Sequence, residues 1–288
     1  MTAPKTKQSI PHRIAAALGW TRASYYLMSV FLLTVFLIMY IWWPLAEAYL
    51  ALIDWSGPWW RYFDWLLVCI FLVMSLLIMA GADLRKDVWI VFVGMVGGLV
   101  IESWGTQTEI WTYYTAERPP LWIIPAWPIA SLSIDRIVRL LRSWMGETTK
   151  GTQEHEKSQS HFLRVPAWFI KFGYWLIFPA FYALMLAFVW PTLDKSLTIM
   201  ALILVAFLIL TPTDHRIAVL TFIAGSGLGY FLELWGTTRL CWTYYTLETP
   251  PFFAVLAHGM AAVAFWRTAL VLQLFWSFRF RGRVGQIH

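Results

Sequence analysis

The sequence predicts an all-α integral membrane protein of about eight transmembrane helices, arranged as two parallel four-helix repeats. Three observations predict it. The 288-residue chain is 59% hydrophobic and 13% charged, with a mean hydropathy of +0.61, which is more apolar surface than a water-soluble fold of this length can cover. Its Lys and Arg residues cluster between apolar runs on alternate sides. And Asp83 to Arg136 aligns without a gap on Asp214 to Arg267, at a constant offset of 131, with about twenty identities in fifty-four positions.

Taken in order, the apolar runs are expected near 23–43, 62–82, 88–104, 120–141, 166–190, 197–212, 217–235 and 251–276. The first is long and aromatic and lacks a small-residue cleavage site, so it reads as a span and not a signal peptide. With eight spans, one side collects Lys5, Lys7, Arg13, Arg22, Arg85, Lys86, Arg139, Arg142, Lys150, Lys157, Arg164, His215, Arg216, Arg279, Arg281 and Arg283. The other side keeps Arg61, Arg118, Lys195 and Arg239. Both termini are therefore expected in the cytoplasm, in a bacterial inner membrane. The net charge of +6 is spread over five separate segments, which argues against nucleic acid as a partner. Cys69 and Cys241 fall at different depths, so no disulfide is expected, and no metal-ligand spacing involves them.

The duplication extends to the first two spans of each half, because Trp43-Pro44 closes span one as Trp190-Pro191 closes span five. Four spans per half is an even number, so both halves point the same way. The expected divisions are 1–142 for the first repeat, 143–165 for a polar cytoplasmic linker and 166–288 for the second repeat with its basic tail. Fusion of an ancestral homodimer accounts for this.

The repeated residues are mostly not hydrophobic filler. Gly94, Gly98 and Glu102 recur as Gly225, Gly229 and Glu233, four apart and thus on one helix face. Gly-x-x-x-Gly lets a neighbouring helix approach, so each glutamate shares the packed face. Glu102 lies roughly 20 Å along its helix from Val88, in the outer third of the bilayer. A carboxyl there is either functional or a structural group bonded to the next turn, near Thr106 or Thr237. Trp-Thr-Tyr-Tyr-Thr follows at 111–115 and 242–246. It reads either as an interfacial aromatic belt or as the lining of a pocket. Pro119-Pro120 and Pro250-Pro251 open the fourth and eighth spans. Asp83 with Arg136, and Asp214 with Arg267, are expected as structural ion pairs at the cytoplasmic end.

The halves differ where it matters: Pro128 aligns with Gly259, and Asp135, a charge only the first half carries, aligns with Trp266. Trp127 aligns with His258, about 10 Å into the membrane and near the level of Glu233. A Glu233–His258 pair is therefore available only in the second half, where His258 is either that partner or a hydrogen-bonded packing residue.

Glu102-x-x-Gly105-x-x-Thr108, then Tyr114-Thr115, then Pro120-Leu121-x-x-x-Pro125-Ala126-Trp127, resembles the signature region of the membrane-bound carotenoid-biosynthesis family, which includes carotenoid hydratases acting on bacterioruberin-type precursors. The resemblance covers 26 residues of the first half. The second copy keeps Glu233, Gly236, Tyr245, Thr246 and Pro251, has Arg239 for the threonine, and lacks the later proline and tryptophan. The family's Gly-rich spacer is shortened here. The resemblance implies a lyase-type hydratase or a cyclase working on a hydrophobic isoprenoid substrate. Such chemistry begins by protonating a double bond, which needs an acid in a dry site and aromatic faces around the cation. Glu102, Glu233 and His258 would be the catalytic groups. Trp104, Trp111, Tyr113 and Tyr114, with Trp235, Trp242, Tyr244 and Tyr245, would line the substrate site. No cofactor is expected. No nucleotide loop, iron His-box, Ser–His pair or CxxC occurs, which argues against ATP-driven transport, desaturation, serine hydrolysis and thiol redox chemistry. A small-solute or proton-coupled transporter, and a lipid-binding or assembly subunit, remain open alternatives, as does the oligomeric state. On the enzyme reading, Glu102→Gln or Glu233→Gln is expected to be folded and inactive.

Overall fold

The computed structural model describes residues 15, 18–145 and 166–284, with side chains to residue 276 except that of residue 45. The expected linker therefore lies almost wholly outside the described residues, as do Lys5, Lys7 and Arg13. The helices are α1 (Arg22–Ile41), α2 (Trp43–Leu50), α3 (Trp65–Met79), α4 (Leu84–Gln107), α5 (Ala126–Trp144), α6 (Ala167–Val189), α7 (Ser196–Leu210), α8 (His215–Thr238) and α9 (Phe252–Val284). Two three-residue strands, β1 (Trp111–Tyr113) and β2 (Trp242–Tyr244), complete an otherwise helical fold.

The backbone divides into two compact units, 1–88 and 89–288. In the first, α1 packs on α3 through Phe31 and Phe71, whose ring centroids are 5.1 Å apart. Ser24 is fully buried there. Its hydroxyl donates to the Met79 carbonyl (2.7 Å) and accepts from the Thr21 N–H (3.0 Å), so one small side chain caps α1 and ties it to the end of α3. Asp64 caps α3 by accepting from the Leu67 N–H.

The second unit is built around α8 and α9. Tyr174, Phe178, Phe181, Met185 and Phe188 of α6 bury one helical stripe, which packs at an angle on Phe222 and stacks on Phe253. Asp214 caps α8, accepting from the Arg216 and Ile217 N–H groups. β1 and β2 pair antiparallel, with Trp111 opposite Tyr244, Thr112 opposite Thr243 and Tyr113 opposite Trp242. Local geometry recurs 131 residues apart: α4 and α8 start and end in step, as do β1 and β2. Glu109 and Leu240, then Ala116 and Leu247, adopt left-handed φ values of 54–62°.

Among the described residues five helices are long and apolar enough to cross a membrane: α1, α4, α6 with its following turn, α8 and residues 252–276 of α9. Large apolar side chains such as Leu33, Phe36, Val100, Phe207 and Phe275 are exposed, while Glu102, Glu233, Thr106 and Thr237 are buried. That inversion is compatible with an integral membrane protein. Helices α3 and α7 also lie where spans are expected, but their fifteen residues each rise only about 22 Å, short of a typical hydrocarbon core. Where the fourth span is expected, α5 starts at Ala126 and not at residue 120, because residues after Pro120 form turns, and with Asp135, Arg136, Arg139 and Arg142 it is not among those five helices.

Candidate functional site

The site grows from the spacing of glycines on α4 and α8. A Cβ at Gly94 would lie 2.8 Å from the Pro128 Cα, and one at Gly98 2.3 Å from the Trp127 ring. The corresponding positions are Gly225, 2.8 Å from the Gly259 Cα, and Gly229, 2.5 Å from the His258 Cβ. Glycine at these places lets α5 press on α4, and α9 on α8. The contact delivers Trp127 to Glu102 and His258 to Glu233. Gly105 and Gly236 do the same for the loops: a Cβ at either would fall 1.9–2.0 Å from the indole of Trp111 or Trp242.

Each glutamate then sits 4% exposed in a cage of three hydrogen bonds. Trp111 Nε1 and Tyr113 Oη donate to Glu102 Oε2 (3.1 and 2.9 Å), and Trp127 Nε1 donates to Oε1 (3.1 Å). Trp242 Nε1 donates to Glu233 Oε2 (2.9 Å), Tyr244 Oη donates to Oε1 (2.9 Å), and His258 Nε2 meets the same Oε1 at 2.9 Å. Thr106 and Thr237 hydroxyls donate back to the glutamates' own carbonyls (2.6 Å), which satisfies them within the helix. Indole N–H groups only donate, so two of the three partners of Glu102 cannot accept a proton. Imidazole exchanges one. The two cages are therefore chemically different: the first holds a carboxyl among donors, the second places it against a base.

The cages share walls. Trp111 faces Tyr244 and Tyr113 faces Trp242, each pair 5.8 Å between centroids, because β1 and β2 set these residues opposite one another. Trp127 stacks on His258, with centroids 5.6 Å apart and planes 18° from parallel. Burial raises the pKa of the Tyr113 and Tyr244 phenols well above the ordinary value, so both are hydroxyl donors at neutral pH.

The other expected site residues divide. Trp104 lies edge-on to Trp111 and Trp235 edge-on to Trp242, each at 5.9 Å, forming an outer layer of the wall. Trp104 Nε1 also donates to Thr198 Oγ1 (3.3 Å). Tyr114 and Tyr245 do not join the cages. They are 57% and 43% exposed, since the strand alternation that turns Tyr113 and Tyr244 inward turns these outward. Tyr245 Oη donates instead to the Phe188 carbonyl (2.5 Å).

The expected Asp214–Arg267 ion pair is not formed. Asp214 caps α8, and Arg267 donates to the Leu208 carbonyl, to Thr211 Oγ1 (2.5 Å) and to the Pro212 carbonyl (3.2 Å), closing the carbonyl end of α7. Asp83 likewise accepts from the Arg85 N–H (3.1 Å) at its own helix start and lies 3.5 Å from Lys86. Arg136 is buried and contacts Asp135 at 2.5 Å.

Trp127 is the residue whose site role is not assigned from sequence. The signal for it is the spacing: Trp127 follows Glu102 by the same 25 residues that separate His258 from Glu233. Among the described residues no three His, Cys, Asp or Glu side chains gather as a metal-binding group. Comparison with protein-family models, with curated proteins and with solved structures gives no match.

Proposed function

We propose that this chain is an eight-span bacterial inner-membrane protein of two parallel four-helix repeats, and that the second repeat exchanges a proton at Glu233–His258 during hydration or cyclisation of an isoprenoid-type lipid. The duplication is supported by the in-step boundaries of α4 and α8, by the matched left-handed turns and by the two cages built at identical spacing. The cytoplasmic placement of the basic ends is supported by the Lys and Arg distribution.

One observation carries the chemistry. His258 meets Glu233 at 2.9 Å in an otherwise donor-lined aromatic cage, and its side chain is 18% exposed where the glutamate is 5%. A carboxyl and an imidazole in hydrogen-bond contact can pass a proton between them, and the partly exposed imidazole gives the pair a face through which to deliver it. Addition of that proton to one carbon of a double bond leaves a cation on the other. The faces of Trp235, Trp242 and Tyr244 offer it quadrupole stabilisation without a competing nucleophile. Capture by water returns a proton to the pair; capture by a second double bond closes a ring and moves the cation to a new carbon, whose neighbouring C–H then gives its proton back to the pair. The proposal narrows the catalytic set to Glu233 and His258, because Glu102 lies among donors alone.

The test is the pigment and lipid mass profile of a carotenoid-producing host with and without the chain. A product heavier by one water, or an isomer with a new ring, supports the reading, and Glu233→Gln should abolish it. An unchanged profile in every such host would sink it. Proton-coupled transport is the second reading, favoured by the same exchangeable pair, and pH-driven solute flux in vesicles would then be measured.

A further inference from the structure

We infer that Trp127 is the positioning residue for His258, and that Glu102 acts through it. The first carboxyl fixes the platform on which the second half's imidazole lies. This rests on reading Glu233–His258 as the proton-exchanging pair.

Every degree of freedom of the Trp127 ring is fixed by a named contact. Its Nε1–H is tied to Glu102 Oε1 (3.1 Å), which sets rotation in the ring plane. The other oxygen of Glu102 is held by Trp111 and Tyr113, so the acceptor itself does not swing. Gly98 presents backbone beneath the indole, and Phe265 meets it edge-on at 5.8 Å. Phe265 is in turn seated on Gly97, where a Cβ would come within 2.2 Å. The remaining face lies on His258.

An indole face attracts an imidazolium. Donation of the Nε1–H to a carboxyl oxygen polarises the ring and strengthens that attraction. The groups around His258 are then accounted for: Glu233 from α8 at Nε2, Tyr244 from β2 sharing the same Oε1, Trp127 from α5 across the ring, and Glu102 from α4 behind Trp127. The same position in the two halves thus serves as proton exchanger in one and as its support in the other. Retention of Glu102 without a base beside it follows directly.

The experiment uses the full chain in lipid nanodiscs with labelled histidine, six residues in all, and the His258 signals assigned by His258→Asn. His258 Cε1–H should be displaced upfield by the Trp127 ring, and its Nε2–H should persist in the Glu233 hydrogen bond. Trp127→Phe keeps a face and should keep most of the displacement. Trp127→Met fills similar length without a face; it should remove the displacement, broaden the Nε2–H signal and lower product yield roughly tenfold. Glu102→Met should reproduce Trp127→Met, and the double variant should be no worse than either alone. Equal behaviour of Trp127→Phe and Trp127→Met overturns the platform. An intact stack in Glu102→Met overturns the role of Glu102. The resonances need no substrate. Failure to find a product would therefore count against the catalytic reading alone, and a lost stack with full product yield would count against this inference alone.

Discussion

The cage around Glu102 and the cage around Glu233 are built from the same parts except one. Both have a glycine-spaced helix, an indole laid over a glycine, a tyrosine from a paired strand and a threonine bonded back to the glutamate carbonyl. The third partner is Trp127 in the first and His258 in the second. That single change turns a carboxyl held among donors into one half of an acid–base pair. The comparison teaches that two matched frames can hold a buried carboxyl in the same geometry while the third partner alone decides whether it faces a donor or an imidazole.

The comparison is broken most forcefully by removing the carboxyls. Glu102→Leu leaves two buried donors and one half-buried donor without an acceptor, at about 1–3 kcal/mol each, so thermal unfolding in detergent should show a loss of about 3–9 kcal/mol. Glu233→Leu should cost less, because an imidazole can present an acceptor nitrogen where an indole cannot, so only the Trp242 and Tyr244 donors are stranded. Equal losses would mean that His258 behaves as Trp127 does. Next come the glycines beneath the indoles. Gly105→Ala and Gly236→Ala should each destabilise by about 1–3 kcal/mol, and by similar amounts, since a Cβ at either meets a tryptophan ring at about 2 Å. A large asymmetry would argue against equivalent frames. His258→Trp copies the first cage into the second. It should leave stability within about 1 kcal/mol and lower product formation at least about a hundredfold, read from the same mass profile. Retained activity would remove the pair from the mechanism. The smallest effect is expected at the turns. Leu240→Gly and Leu247→Gly relieve left-handed backbone and should each raise stability by about 1 kcal/mol, as Glu109→Gly and Ala116→Gly should in the first copy.

Much of the candidate site is legible in the chain because its constraints are local. Glycines four apart followed by a glutamate have to share a helix face, and they do. The pairing of Glu233 with His258 follows from counting residues into a helix, since rise per residue is nearly constant. The Asp214–Arg267 ion pair fails for the opposite reason. Asp214 and Arg267 lie at the right level, but helix ends leave backbone groups unsatisfied, and those nearer partners claim both side chains. Repetition groups Tyr114 and Tyr245 with their neighbours, yet strand alternation turns them away from the cages.

The helical, membrane-compatible class, the 131-residue correspondence and the paired glutamates Glu102 and Glu233 are fixed along the chain, because apolar composition, periodicity and residue spacing act there. Only the tertiary structure decided which donors surround each carboxyl, that β1 pairs with β2 so the cages share walls, and that Trp127 lies flat on His258. Those facts depend on how close two helices come, and a missing Cβ at Gly98 or Gly229 sets that distance only once the partner helix is in place.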